Sequence, residues 1–377
     1  MPGQTIGILG GGQLGRMMAI AAKQMGYRIA VLDPAEDCPC AQVADTAIVA
    51  EYDDPEAARK MTECADVVTY EFENVDVKTA DYLQEHSYLP QGWHLLEITK
   101  DRLNEKAAIK AAGLPVVPYL PIRNEEELKT AMAEIGFPSV LKTTEGGYDG
   151  KGQYVLKSED DLKEALPYIG HVPFELEKWL PFEKEISVIV VRSTTGETSV
   201  FPVAENIHRR NILHHTVVPA RIPDTLREEA TRHALRLAEA LHLVGTLAVE
   251  MFVGKDGKVY VNETAPRPHN SGHFSINACE TSQFEQHIRA ICGLPLGRPD
   301  LLKPVIMVNI LGEHVQQVLD KISLLSDAHL HLYGKDEARD GRKMGHLTIL
   351  GSTVQEAIDK AERLGIWKIE QEVGQNS

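Results

Sequence analysis

Lys142-Thr143-Thr144-Glu145-Gly146-Gly147-Tyr148-Asp149-Gly150-Lys151-Gly152 stands between two strand-like runs, Ser139 to Thr143 and Gln153 to Leu156. The segment is not a Walker loop, because Lys151 is followed by Gly152 and no helix signal comes after it. A hairpin tip of this kind can fold over a triphosphate, with its amides turned to the oxygens and Lys142 supplying a point charge from the strand. A plain surface hairpin would share part of the pattern, but the glycines at 146, 147, 150 and 152 exceed what a turn requires.

Around this loop, residues 116 to 187 hold further short strands at 174 to 178 and 185 to 191 and one helical pattern from Glu125 to Ile135, which predicts α+β packing. Upstream, the first hundred residues alternate strand and helix signals: Thr5 to Leu9, Leu14 to Met25, Arg28 to Asp33 and Asp66 to Tyr70. They predict a small doubly wound α/β domain over 1 to about 98. A helix from Asp101 to Ala112 then ends at Gly113, Pro115 and Pro118. Downstream, Thr225 to Leu241 reads as an amphipathic helix. Thr246 to Val253, a turn at 254 to 257, and Lys258 to Thr264 read as a hairpin. Another helix near 283 to 291 and the breakers Pro295, Pro299 and Pro304 precede a last small piece with strands near 305 to 311, 329 to 333 and 346 to 350.

The hairpin places Glu250 roughly across from Glu263, with Asn262 beside it. Facing carboxylates repel unless a cation lies between them. Their apolar surroundings, Ala248 to Val253 and Val259 to Val261, argue against two solvated glutamates and for a divalent ion such as magnesium. The following stretch, Thr264 to His273, is polar, proline-stiffened and non-helical. Arg267 could neutralise charge on a transferring phosphoryl group. His269 and His273 are candidates for hydrogen bonding, acid/base work or metal ligation, and a structural role for His273 is equally open.

Near the N-terminus, Gly10, Gly12 and Gly15 fit G-x-G-x-x-G between a strand and a helix, with Asp33 closing the next strand. The loop admits three readings: a tight turn, a contact for phosphate or substrate, or a dinucleotide site of the dehydrogenase type.

Composition narrows the partners. A net charge of -16 over 377 residues disfavours a nucleic-acid or anionic-membrane binder. With 43% hydrophobic and 25% charged residues the chain should fold into two or three domains. Five scattered cysteines disfavour a disulfide framework and favour a reducing compartment. No uncharged apolar run approaches the ~18 residues of a membrane span, so a cytoplasmic protein is expected.

Taken together, Gly10 to Met17, Tyr70-Glu71-Phe72-Glu73-Asn74-Val75, the 146 to 152 loop, Asn262 to His273 and Gly341 to His346 resemble the ATP-grasp superfamily, and within it the 5-(carboxyamino)imidazole ribonucleotide synthase family. The resemblance covers nearly the whole chain. It implies an ATP-grasp fold, mixed α/β and α+β: a Rossmann-like pre-ATP-grasp domain (1–98), an ATP-grasp domain (99–298, lid about 116–187) and a small β-rich C-terminal domain (299–377). It also implies an ATP-dependent ligase that joins bicarbonate to 5-aminoimidazole ribonucleotide through carboxyphosphate, with magnesium or manganese, as a homodimer.

By motif position the resemblance assigns ATP to Arg102, Lys142, Gly147, Tyr148, Asp149, Gly150, Lys151, Gly152, Gln153, Glu177, Lys178, Trp179, Leu180, Glu185, His208, Asn262 and Glu263. Metal goes to Glu250 and Glu263. The ribonucleotide goes to Gln13, Leu14, Glu73 and Tyr148, with Lys335, Arg342 and Lys343 around its phosphate; Arg267, His269 and Asp149 stand at the reacting groups. The alternatives are another purine ligase of the superfamily, an ATP-sensing module without turnover, and a nicotinamide-dependent dehydrogenase resting on the N-terminal glycines.

Overall fold

The computed structural model describes residues 3–73, 75–146 and 152–369. Strands β1 (Thr5–Leu9), β2 (Arg28–Asp33), β3 (Thr46–Val49) and β4 (Val67–Tyr70) form a parallel sheet in the order β3-β2-β1-β4. Its central strands are nearly continuous apolar runs because helices cover both faces. The helix Gln13–Gln24 packs Met17, Met18 and Ala22 on one face and meets Phe284 and Ile288 of the helix Gln283–Ile291. On the other face Ala57, Met61 and Leu83 come from the helices Pro55–Cys64 and Val77–His86.

A second, antiparallel sheet holds β5 (Tyr119–Ile122), β6 (Ser139–Thr143), β7 (Gln153–Leu156) and β8 (Phe174–Lys178) in the order β5-β8-β6-β7. Leu141, Phe174 and Leu176 face the helix Glu125–Ile135 in its core. Strand alternation therefore turns Lys142, Glu175 and Glu177 to the opposite side.

The remaining strands are β9 (Phe182–Arg192), β10 (Thr198–Val200), β11 (Ala204–Arg209), β12 (Ile212–Val218), β13 (Gly245–Gly254), β14 (Val259–Ala265), β15 (Val305–Leu311), β16 (Ala328–Leu332) and β17 (Lys343–Leu350). They build one antiparallel sheet ordered β14-β13-β9-β11-β12-β15-β17-β16, with β10 alongside β9. The last three strands thus extend the central sheet through the β12–β15 pairing. Val249, Met251, Val259 and Val261 are buried against the helix Asp224–Ala240. Each such side chain contributes roughly 1.5–3 kcal/mol by leaving water. That burial fixes which face of the β13–β14 hairpin looks away from the helix, and Glu250 and Phe252 lie on that face. No helix among the described residues is long and apolar enough to cross a membrane.

Candidate active site

The units built on the three sheets border one cleft of about 860 Å³. Its walls include Gln13, Leu14 and Glu73 from the N-terminal unit, Lys142, Gln153, Glu177, Lys178, Trp179 and Leu180 from the second sheet and its exit, and Arg102. The central sheet adds Glu185, His208, Glu250, Asn262, Glu263, Arg267, His269 and Lys343. Residues separated by more than three hundred positions are gathered here. Gly147, Tyr148, Asp149, Gly150 and Lys151, expected at the same place, lie outside the described residues, as does Asn74.

Glu250 and Glu263 are direct register partners across β13 and β14. A bulge between Glu250 and Met251 makes this so: Val261 opposes Met251, and the extra residue Asn262 lets Glu263 take the place opposite Glu250. In this structure their repulsion is relieved by separate partners. Arg102 Nη1 donates to Glu263 Oε2 at 3.0 Å, and His269 Nε2 lies 3.1 Å from Glu250 Oε1. Burial raises the Glu250 carboxyl, but His269, His208 and Lys343 outweigh it and hold the group well below the usual carboxylate range. Beneath the pair sits Glu105, absent from the sequence reading, which accepts from Thr264 N (2.5 Å) and Thr264 Oγ1 (2.7 Å). Burial and the charge of Glu263 push it up to about 7.

On the second sheet, Lys142 is not a free point charge. Its ammonium is bound to Glu177, whose other oxygen lies 2.5 Å from Lys106 Nζ. Lys106, also missed from sequence, is buried on the helix Arg102–Ala111. Burial opposes ionisation of Glu177, yet the two ammonium groups drive its carboxyl strongly down. Its neighbour Glu175 is raised by burial and by the charge of Glu177. An apolar wall of Val117, Val140, Leu180 and the stacked rings of Phe182 and Phe252 (centroids 4.6 Å apart) adjoins this network. Trp179, expected at ATP, also borders the cleft. Gly152 closes β6 onto β7, with its carbonyl accepting from Thr143 N at 2.9 Å, and lies just outside the cleft lining.

At the N-terminal end of the cleft, Arg267 Nη2 lies 2.8 Å from Glu73 Oε1. His269 is held on its other nitrogen by Ser271 Oγ at 2.8 Å, which receives a hydrogen bond from Ser187 Oγ at 2.8 Å. Glu185, expected at a ribose, is 2.6 Å from His208 Nδ1; burial lowers that imidazole, but Glu185 outweighs it and raises it. His273 is fully buried beside Gln283, Phe284 and His346, which is a structural position. The basic set is split. Lys343 lines the cleft and Lys335 and Arg342 do not, Lys335 Nζ donating to Lys343 O at 2.9 Å and Arg342 Nη1 to Glu337 O at 2.9 Å. Burial, with the nearby charges of Arg342 and Lys343, lowers Lys335 to about 8. Arg210, on the unexpected β11–β12 hairpin, also borders the cleft.

The dinucleotide reading of the N-terminal loop does not hold. Asp33 is no ribose ligand here: its carboxylate accepts from Gly11 N (2.7 Å), Tyr52 OH (2.7 Å) and Ala35 N (2.9 Å). The amides of Gly12 and Gly15 donate to Glu71, the latter at 2.6 Å.

Comparison with known proteins agrees with this fold. A model of the ribonucleotide synthetase preATP-grasp domain matches residues 3–99, one of the ATP-grasp domain matches 107–284, and one of the phosphoribosylaminoimidazole carboxylase C-terminal domain matches 305–360. The N5-carboxyaminoimidazole ribonucleotide synthase of Bacillus subtilis strain 168 is 55% identical over 359 residues, 95% of this chain and 94% of its own length. An N5-carboxyaminoimidazole ribonucleotide synthetase solved as its ADP complex superposes with a TM-score of 0.95 at 61% identity, covering 97% of each chain. The Aspergillus clavatus enzyme, solved with ADP and 5-aminoimidazole ribonucleotide, does so with a TM-score of 0.90 at 32% identity, over 96% of this chain and 97% of its own.

Proposed function

The chain belongs to the N5-carboxyaminoimidazole ribonucleotide synthase family of ATP-grasp enzymes, and from that premise we propose that it carboxylates 5-aminoimidazole ribonucleotide with bicarbonate, converting ATP to ADP and phosphate. The observation that carries the reading is the meeting, in one cleft, of the Glu250–Glu263 pair, the Lys142–Glu177 strand end and the Arg267–His269 stretch.

The γ-phosphoryl of ATP passes to a bicarbonate oxygen, giving carboxyphosphate and ADP. The exocyclic amine of the ribonucleotide then bonds to the carboxyl carbon, phosphate leaves, and the amine loses a proton. The apolar wall from Val117 to Phe252 receives adenine, and Lys142 moves from Glu177 towards the phosphates as they arrive. Arg267, kept in place by Glu73, faces the anionic oxygens of carboxyphosphate, where a preorganised guanidinium acts most strongly. His269, fixed between Ser271 and Glu250, orients that carboxylate.

Glu250 and Glu263, both ionisable oxygen donors beside the polar Asn262, fit magnesium, which takes one or two protein carboxylates and completes its shell with water and phosphate oxygens. When bound, the ion neutralises charge on the transferring phosphoryl group. The ribonucleotide phosphate is assigned to Lys335, Arg342 and Lys343.

An ADP-release assay tests the reading. ADP formation should require the ribonucleotide and bicarbonate together, and release supported by formate in place of bicarbonate would overturn it. A homodimer is part of the proposal on family resemblance alone; light scattering at a mass near 41.7 kDa would remove it.

A further inference from the structure

The three glycines of the N-terminal fingerprint all abut the same side chain. A Cβ on Gly10 would lie 2.5 Å from Glu71 Cγ, one on Gly12 2.6 Å from Glu71 Oε1, and one on Gly15 3.2 Å from Glu71 Oε2. Glu71 follows directly on β4, the parallel neighbour of β1, so the sheet itself delivers its carboxylate to the start of the helix Gln13–Gln24. There it accepts from the amides of Gly12 and Gly15. These are the groups that a glycine loop at a helix N-terminus otherwise offers to a phosphate. Glu71 also borders the cleft, on the side from which a substrate would approach; burial raises its carboxyl, and the amides of Gly15 and Gly12 act against that rise in favour of the carboxylate.

The cations are close by. Gln42 links the two ends of the chain, accepting from Arg16 Nη1 at 2.9 Å and donating to the carbonyl of Gly334 at 2.8 Å. Lys335 follows Gly334, and the charge of Glu71 is felt at its ammonium.

We propose that Glu71 is a specificity-determining residue: its carboxylate occupies the anion seat of the Gly10–Gly15 loop, and so directs the ribonucleotide phosphate to the cations at Lys335, Arg342 and Lys343. The inference rests on the substrate reading above. It explains how a loop with a dinucleotide fingerprint serves a different ligand. A like charge in the seat repels phosphate, while the glycines provide the room that this glutamate needs.

A double-mutant cycle tests it. Affinity for 5-aminoimidazole ribonucleotide is measured by calorimetry with ADP present and bicarbonate absent, in wild type, Arg342→Ala, Glu71→Ala and the double variant. Arg342→Ala alone should weaken binding by ~10-fold, the loss of a charged hydrogen bond. With Glu71→Ala the vacated amides offer the phosphate a second seat, and the same change should cost less than about 3-fold. An equal cost in both backgrounds overturns the proposal.

If Glu71→Ala does not fold, the wild-type protein labelled with [15N]glycine decides. The Gly12 and Gly15 amide resonances should not move on addition of inorganic phosphate, and a saturable shift would show the seat open. That titration needs no ribonucleotide, so it still judges the role of Glu71 if the protein fails to bind 5-aminoimidazole ribonucleotide and the substrate reading falls.

Discussion

Two glycine-rich loops in this chain look alike on paper and differ in what their glycines are for. At Gly12 and Gly15 the glycines answer a shortage of space, whereas Gly10 also has a positive φ of +97°: Gly12 has φ of -74°, which any residue can adopt, yet a Cβ there meets Glu71 at 2.6 Å. At Gly146 the reverse holds, since φ is +74° and, among the described residues, nothing lies within 4 Å of an added Cβ. The first loop has an internal anion on its amides, whereas the second begins at the cleft beside Lys142. Glycine content alone therefore says little about phosphate; what already fills the amides says more.

If phosphate chemistry belongs to the cleft at which the second loop begins, the strongest effect comes from the carboxylates that line it. Glu263→Gln, nearly isosteric, should lower kcat by at least ~10²-fold with the fold retained, on the scale of one preorganised electrostatic group. Activity within a few-fold of wild type would take Glu263 out of the metal site.

The space argument is tested next. Gly12→Ala should destabilise the protein by about 1–3 kcal/mol through overpacking, measured by urea unfolding. Adding Glu71→Ala removes the clashing carboxylate and should recover part of that loss. Gly146→Ala should cost about 1–2 kcal/mol for its left-handed backbone, and no change at Glu71 should restore it. If Gly12→Ala is as costly without Glu71, the glycine answers some other demand.

A smaller effect locates the ribonucleotide phosphate away from the first loop. Arg342→Ala should raise KM for 5-aminoimidazole ribonucleotide by ~10-fold and leave that for ATP nearly unchanged, as for a charged hydrogen bond worth about 1.5–3 kcal/mol. The opposite pattern would place the two substrates at the wrong ends of the cleft.

The smallest concerns Lys335, lowered by burial from its ordinary 10.5 to about 8. Because the folded value lies below the unfolded one, the charged lysine opposes folding below about pH 8, and this cost fades as pH rises towards 10.5. A bound phosphate needs that charge. KM for the ribonucleotide should therefore climb several-fold from pH 8 to 9, by no more than ~10-fold per unit, while KM for ATP stays level. Lys335→Arg should flatten the rise; a slope unchanged in that variant would assign it to another group.

Much of this architecture was readable because its signals are local. The alternation on β13 and β14 set Glu250 and Glu263 on one face, and the apolar runs around them marked them as unusual. The bulge that brings them opposite each other was not readable, since Asn262 carries no mark of being the extra residue. The β11–β12 hairpin escaped notice because its turn runs through Arg210 and Asn211, both at positive φ without a glycine to announce them. Lys106 and Glu175 were lost for a different reason: a single buried charge has no periodic pattern, and only the folded chain shows its partner. A partial signal existed, since Arg102, Glu105 and Lys106 stand at spacings three and four apart and so share a helix face. Glu71 was read as part of a motif, with no hint that its carboxylate returns to the loop at Gly12.

That helix face has a mechanical consequence. Through Arg102 and Glu105 the helix grips the β14 end at Glu263 and Thr264, and through Lys106 it grips β8 at Glu177. A rotation of the four-stranded sheet that keeps the Lys106–Glu177 pair intact turns about that point on β8, with the bond from Arg102 N to Thr144 O at 2.9 Å as a second tie just past β6. Since β6 lies between β8 and β7, the far edge hangs on a lever arm of about 10 Å, two strand spacings. A tilt small enough to leave the pivot undisturbed is thus magnified at β7, the strand that receives the chain from the glycine loop, while Glu177 and the carboxylate hairpin keep their separation.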